Sequence, residues 1–199
     1  MANRVNDIIA LEWTFFDRVQ NIGGRASCQD NWQEFRIMRA SQLEAWSEDM
    51  RDSYYADLLE AEREGRNPLA EKYGYMMERT NPLEFARIRE QLPPRTAEKD
   101  GIIAALCQVH VGWLEELAAQ YPRLAGRGRP IHRSADTPYV TSFETYLWGE
   151  LATYSRETLE RYAAYVERLR VQGRNMNLMV LENTIKQYGY ASLEEAEQA

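Results

Sequence analysis

Four ionisable side chains fall within the apolar stripes of four predicted helices: Glu12, Arg39, His110 and Glu150. Successive residues advance by about 100° around a helix, which places each of the four among aliphatic and aromatic neighbours. Burying an unpaired charge is costly, so these groups must pair, line a hydrated cavity or bind a ligand. A structural ion-pair network, for example Arg39 with Glu12 or Glu150, is one reading. The convergence of four such groups on one core favours a polar cavity.

Two arginines alternate with glycines in the segment Gly126-Arg127-Gly128-Arg129-Pro130. Glycine lets the backbone approach a ligand closely, and a guanidinium can donate two parallel bonds to a carboxylate or phosphate. The segment therefore predicts a site for a small anionic molecule. It is not a P-loop, because the lysine and the Ser/Thr of that motif are absent. A solvated basic loop, or a loop that caps helix C-termini, is the structural alternative.

Three residues are catalytic candidates. Glu150 and His110 are the predicted acid and base, since both lie centrally in apolar faces. Cys28 is the third, because it follows the predicted cap Ser27 and helix N-termini lower thiol pKa values. The predicted substrate-binding residues are Arg25, Arg39, Gln42, Arg127, Arg129 and Tyr146.

The elements that position these residues are predicted to be helices throughout, because no stretch alternates apolar and polar residues long enough for a strand. Capping patterns predict helices at 6–20, 27–46, 47–64, 96–120, 141–172 and 175–188, two shorter ones after Asn67 and Asn81, and a tail helix after Ser192. A turn is predicted at 21–25 and a long arginine-containing loop at 124–140. We therefore predict an all-α fold in which residues 1–199 form a single-domain orthogonal or antiparallel bundle of about seven to eight helices.

Composition excludes several classes of protein. A net charge of −7 argues against a general nucleic-acid partner. No run approaches the roughly 18 apolar residues of a membrane span, and the N-terminus lacks the pattern of a signal peptide, so a cytoplasmic protein without a membrane partner is expected. Two cysteines form no zinc or disulfide pattern. We predict no metal site; a metal held by Glu12, His110 and Glu150 is the weaker alternative, because the ligand spacing matches no standard motif. The sequence leaves the cofactor unknown.

Five stretches carry a family resemblance: GGRASCQD at 23–30, FRIMRASQ at 35–42, LAGRGRPIH at 124–132, TSFETYLWGEL with TYS at 141–155, and LENTIKQYGYASLEEAE at 181–197. Together they resemble a bacterial family, domain-of-unknown-function family 4125, over nearly the whole chain. In that family an arginine is usual where this chain has Trp148, so a ligand contact by that side chain is not carried over. The resemblance implies a soluble bacterial protein and transfers no activity, fold or catalytic role.

The function predicted from these residues is that of an enzyme of small-molecule metabolism. It would act on a carboxylate or phosphate substrate by non-redox acid/base chemistry, as a lyase, isomerase or hydrolase does, since no nucleotide fingerprint is present. The alternative is a non-catalytic binding or sensory module with the same pocket. A third reading is a structural protein, in which the polar residues would be tightly paired without a cavity. The sequence does not indicate an oligomeric state.

Overall fold

The computed structural model describes residues 4–20 and 24–199, and the regular structure in this part of the chain is entirely helical. The α-helices are α1 (Arg4–Asp17), α2 (Trp32–Glu44), α3 (Glu48–Arg63), α4 (Pro68–Thr80), α5 (Pro82–Ile88), α6 (Ala97–Gln120), α7 (Pro122–Gly126), α8 (Phe143–Ala152), α9 (Arg156–Val171), α10 (Met176–Gln187) and α11 (Leu193–Gln198). Three 3₁₀ helices cover Ser27–Asp30, Arg89–Gln91 and Arg133–Ala135. The all-α prediction is confirmed. The predicted turn at 21–25 falls partly on residues 21–23, which lie outside the described residues.

The described residues form eleven α-helices, more than the seven to eight predicted, partly because the long helix predicted at 141–172 is divided into α8 and α9. The hydroxyl oxygen of Ser155 accepts the backbone N–H of Thr158 at 3.1 Å and so caps α9. The backbone N–H of Ser155 donates to Asp57 Oδ2 on α3 at 2.9 Å. The break therefore depends on a cap and on a partner from a distant helix.

The helix predicted at 27–46 is also divided, because Asn31 rather than Ser27 caps α2. Asn31 Oδ1 accepts the backbone N–H of Glu34 at 3.1 Å. The preceding 3₁₀ turn is held by Gln29, whose Nε2 donates to the carbonyls of Phe16 and Val19 at 2.8 and 3.0 Å. Cys28 thus belongs to this short turn and not to the first turn of an α-helix.

The core is formed where α8 packs against α4 and α6, while α1 packs against α2, α3 and α4. The fully buried aliphatic residues of this core include Ile8, Leu43, Met50, Leu58, Ile103, Leu151 and Leu159. Gly149 permits the close approach of α8 to α4, because a Cβ there would lie 2.5 Å from Met76 Cγ and 2.8 Å from the Lys72 carbonyl oxygen. A glycine next to Glu150 therefore brings that carboxylate against Lys72.

By length and composition, α6 is long and apolar enough to cross a membrane. It has 24 residues, and 33% of its most apolar 18-residue window is buried within the described part of the protein. The helix packs against α7, α8, α9 and α10. The core helix of a soluble protein meets the same criterion, so this feature is weak evidence for a span.

Candidate functional site

A buried ion network joins α1, α2, α4 and α8. Arg39 donates from Nε to Glu12 Oε2 at 2.7 Å and from Nη2 to Glu12 Oε1 at 2.6 Å, a bidentate pair. Arg39 Nη1 donates to Glu150 Oε1 at 3.1 Å, and Lys72 Nζ donates to Glu150 Oε2 at 2.7 Å. The exposed fractions of the four side chains are 2% for Glu12, 12% for Arg39, 10% for Lys72 and 7% for Glu150. Glu12, Arg39 and Glu150 thus lie in contact, as the sequence predicts.

Neutral side chains complete the coordination of both carboxylates. Tyr54 donates its hydroxyl to Glu12 Oε1 at 2.7 Å, and Tyr154 donates its hydroxyl to Glu150 Oε1 at 3.0 Å. Gln42 Nε2 also donates to Glu150 Oε1 at 3.0 Å, and Gln42 Oε1 accepts from Arg39 Nη1 at 2.7 Å. Every oxygen of the two carboxylates therefore accepts at least one hydrogen bond.

The charges of this network stabilise one another. Burial by itself raises the pKa of Glu150, but the cations of Lys72 and Arg39 outweigh it and hold that pKa well below its usual range. Burial lowers the pKa of Lys72, but the Glu150 carboxylate more than offsets this, so the net pKa of Lys72 is raised. At neutral pH Glu150 is therefore a carboxylate that holds an ammonium, and it is a weak proton acceptor.

A cavity of about 250 Å³ adjoins the network. Its charged wall is formed by Glu12, Glu34, Arg39, Lys72, Arg129 and Glu150. Its apolar and aromatic wall includes Phe16, Phe35, Met38, Leu69, Tyr73 and Tyr146. The network is tightly paired, as the hypothesis of a structural protein requires. It also borders a space large enough for a small molecule, which that hypothesis does not expect.

Two cations converge on the ring of Tyr146 in this cavity. Lys72 Nζ lies 3.5 Å from the ring centroid, and Arg129 Cζ lies 4.6 Å from it. Both distances are within the range of a cation–π contact. Tyr146 therefore holds two positively charged groups at one end of the cavity.

The arginine segment is anchored to the start of α8. Arg129 Nη1 donates to the carbonyl of Thr141 at 3.2 Å, and Asp136 Oδ1 accepts the backbone N–H of Ser142 at 2.6 Å. Ser142, and not Thr141, caps α8 by accepting the N–H of Thr145. Both arginines are exposed, but Arg129 lines the cavity whereas Arg127 lies outside its wall.

His110 is buried away from the cavity. Its Nδ1 lies 2.8 Å from Asn177 Oδ1, and its Nε2 lies 2.9 Å from the hydroxyl of Tyr162. Burial lowers its pKa to about 4, despite the bond to Asn177, so the ring is neutral at pH 7. With both nitrogens occupied, His110 joins α6 to α9 and α10 and is not brought to Glu150.

Two further predicted site residues lie near the 3₁₀ turn. Cys28 is exposed and lines the cavity. Arg25 pairs with Asp17 at 2.6 Å and with Asp30 at 2.7 Å, and it does not line the cavity. Arg25 therefore ties this turn to α1 at the surface.

Metal ligands are not grouped in the described part of the chain, where no three His, Cys, Asp or Glu side chains are close enough together to hold an ion. The weaker alternative of a metal at Glu12, His110 and Glu150 is not assembled, because His110 lies with Tyr162 and Asn177.

Sequence reasoning missed Lys72 and Tyr54. Lys72 lies one turn from both Pro68 and Met76, which are buried on the same face of α4. The test that found Glu12, Arg39 and Glu150, an ionisable group inside an apolar stripe, would therefore have found Lys72 as well. Nothing in the sequence distinguishes the hydroxyl of Tyr54 from that of any other core tyrosine.

Comparison with known families gives a match over residues 3–198 to the model described as "Protein of unknown function (DUF4125)". No curated protein and no solved structure matches the chain. These comparisons therefore indicate no activity or ligand.

Proposed function

The chain belongs to the DUF4125 family of proteins of unknown function, and we propose, from the geometry of the site, that the cavity beside the ion network binds a small organic anion. The observation that carries this proposal is the convergence of Lys72 and Arg129 on Tyr146 at one end of the cavity. The family match contributes no substrate and no reaction.

Hydrogen-bonding capacity at the charged end favours an anion over a cation. The oxygens of Glu12 and Glu150 are already occupied by Arg39 and their other donors. An ammonium has three N–H groups, and Lys72 donates one of them to Glu150. Arg129 donates to a single backbone carbonyl. Glu34, the third carboxylate of the wall, accepts the hydroxyl of Tyr188. Lys72 and Arg129 keep N–H groups available, which is what a carboxylate or phosphate requires.

The rest of the wall favours a ligand with an apolar body. Phe16, Phe35, Leu69 and Met38 also line the cavity. Burial of apolar surface contributes about 25 cal/mol per Å², so a carboxylate attached to a ring or a short chain would gain from both the charged and the apolar residues of the wall. A volume of about 250 Å³ limits the ligand to a small molecule.

Calorimetry with simple probes tests the proposal. Benzoate should bind, and the neutral isostere benzamide should bind more weakly or not at all, because only the anion can use Lys72 and Arg129. The variant Arg129→Ala should weaken benzoate binding by about tenfold, the effect of one charge-assisted hydrogen bond. Arg127→Ala is the matched control and should change binding by less than about twofold, since Arg127 lies outside the wall.

Two results would contradict the proposal. One is that neither benzoate nor inorganic phosphate binds to a folded protein. The other is that benzamide binds as tightly as benzoate, or that the two arginine variants weaken binding equally.

Catalysis on the bound anion is a second candidate function, and the position of Cys28 in the same cavity favours it. An exposed thiol in the wall of a ligand cavity can act as a nucleophile. Each anion that binds should be incubated with the protein and its products identified by mass spectrometry. Conversion that is lost in Cys28→Ser supports an enzyme, whereas binding without conversion supports a binding or sensory module.

A further inference from the structure

A second cavity, of about 140 Å³, adjoins the first. The two cavities share Tyr54, Pro68 and Thr153 in their walls. The second has its own ionisable groups, from α3, α4, α6 and the segment between α3 and α4: Asp57, Glu60, Arg66, Glu71, Tyr75 and Lys99. None of these groups belongs to the proposed anion site.

Most of these groups are occupied by one another or by the backbone. Arg66 Nη1 donates to both oxygens of Glu71, at 3.1 and 3.0 Å, and Arg63 pairs with Glu60 at 3.2 Å. The hydroxyl of Tyr75 donates to the Pro93 carbonyl. Asp57 and Lys99 are the acidic and the basic group of the wall that take part in none of these ion pairs.

Lys99 is held differently from Lys72. Its Nζ donates to the backbone carbonyl of Ala152 at 2.7 Å, and no carboxylate of the described residues forms an ion pair with it. Burial lowers its pKa and the nearby Arg95 lowers it further, while Asp57, Asp100 and Glu71 partly oppose these effects. An amine in this setting gives up its proton more readily than one paired with a carboxylate.

Asp57 supplies a carboxyl group in the same wall. Its Oδ2 accepts the backbone N–H of Ser155 at 2.9 Å. Burial raises its pKa, in spite of the bonds that it accepts. A small space thus has an amine and a carboxyl group in its wall without an ion pair between them.

We propose that Lys99 is the nucleophile of a second site, where its amine condenses with the carbonyl group of a small neutral aldehyde or ketone to form an imine. The size of the cavity sets the size of the substrate. A neutral carbonyl compound suits this wall better than an anion, because the three carboxylates outnumber the two cations.

The condensation is balanced and needs no oxidant. The amine lone pair of Lys99 attacks the carbonyl carbon, and a proton passes from nitrogen to oxygen to give a carbinolamine. The Asp57 carboxyl gives a proton to the departing hydroxyl, which leaves as water while the C=N bond forms. The carboxylate then takes the proton from the iminium nitrogen, so that amine and carbonyl yield imine and water.

Reductive trapping tests this assignment, and the chain has its own controls because it has only three lysines, Lys72, Lys99 and Lys186. The protein is incubated at pH 7 with glycolaldehyde and sodium cyanoborohydride, and peptide mass spectrometry locates the reduced adduct. The adduct should form first at Lys99. It should form later at the exposed Lys186, and last at Lys72, whose amine is paired with Glu150.

Two variants complete the test. Lys99→Arg keeps a cation that can donate to the Ala152 carbonyl, so it should stay folded by circular dichroism and lose the early adduct. Asp57→Asn still accepts from Ser155 but cannot give a proton, so trapping at Lys99 should slow severalfold. Labelling of Lys186 before Lys99, or early labelling that is undiminished in folded Lys99→Arg, would overturn the proposal. Equal trapping rates in wild type and Asp57→Asn would remove the acid role of Asp57.

Discussion

Glu150 has both of its carboxylate oxygens occupied, one by Lys72 and the other by three further donors. Such a group orients its neighbours. Lys72 has the opposite character, because it keeps N–H groups available and faces the cavity. At the scale of single residues, the two carboxylates of the network are therefore supports, whereas Lys72 keeps donors in the wall of the cavity.

Replacing Glu150 by Gln tests the supporting role. The change leaves Arg39 and Lys72 with a single carboxylate, that of Glu12, and removal of one partner from a buried pair costs about 3–5 kcal/mol. We expect urea denaturation to show a loss of at least about 3 kcal/mol. Glu160→Gln is the control, because Glu160 pairs with Arg156 at the surface and should cost less than about 1 kcal/mol. Equal effects would show that the buried network contributes no special stability.

The neutral His110 predicts a dependence of stability on pH. Its folded pKa, about 4, lies below its ordinary value, so the unfolded chain binds the proton first as the pH falls. The stability that neutral His110 contributes is present above about pH 6.5 and is lost as the pH falls toward 4. Between pH 7.5 and 5 the loss should be about 2 kcal/mol.

Variants isolate this contribution. His110→Gln should remove that part of the pH dependence in urea denaturation, although it also lowers stability at every pH. His132→Gln should leave the dependence unchanged, because His132 is an exposed residue near Glu115. A pH profile that is the same in wild type and His110→Gln would show that the ring is not neutral in the folded protein.

At the scale of elements, the contact of α8 with α4 sets the geometry of the site. Gly149 lets the two helices approach, and Lys72 and Glu150 then meet across them. The segment before α8 is fixed to the start of that helix, because Asp136 accepts hydrogen bonds from both Ser142 and Thr145. The positions of Lys72, Glu150 and Arg129 are therefore coupled through α8.

Glycine-to-alanine changes in two helices test this packing. Gly149→Ala should destabilise the protein by about 1–3 kcal/mol, because the new Cβ would overlap the Lys72 carbonyl and Met76. Gly112→Ala in α6 is the matched control, because its Cβ would meet nothing within 4 Å. Helix propensity alone should then stabilise that variant by up to about 1 kcal/mol. Thermal or urea denaturation measures both, and a stabilising Gly149→Ala would contradict the close contact.

At the scale of the whole molecule, α6 has one face packed against the core and one face turned outward. One face of this helix holds His110, Trp113 and Leu117 against the core. The outward face carries small and polar residues, among them Ala104, Ala105 and Gln108. Lipid would gain little apolar contact from such a face.

We therefore expect the protein in the supernatant when cells are lysed without detergent and centrifuged at high speed. A hydrogen-bonded His110 at the middle of α6 would be costly to expose to lipid. Retention of the protein in membranes after an alkaline carbonate wash would contradict this expectation and would identify α6 as a span.

The sequence by itself determined the helical fold and part of the site. Helical periodicity and helix caps depend on residues that are close together in the chain. Asn67 and Thr96 are such caps, and the side chain of each accepts backbone N–H groups. An ionisable group in an apolar stripe is expected to be buried, and this holds for Glu12, His110 and Glu150. The predicted convergence of four groups is correct for Glu12, Arg39 and Glu150 and wrong for His110.

Only the tertiary structure decided which buried groups meet. The position of a residue in the apolar stripe of a helix shows that its side chain faces the core. Which partner it meets there depends on how distant helices pack. That is why Lys72 joins Glu150 while His110 binds Tyr162 instead. The break before α9 has the same origin, since Asp57 on α3 receives the Ser155 N–H. Pairing across 78 residues, from Lys72 to Glu150, cannot be derived from local patterns because it is set by the fit of helix surfaces.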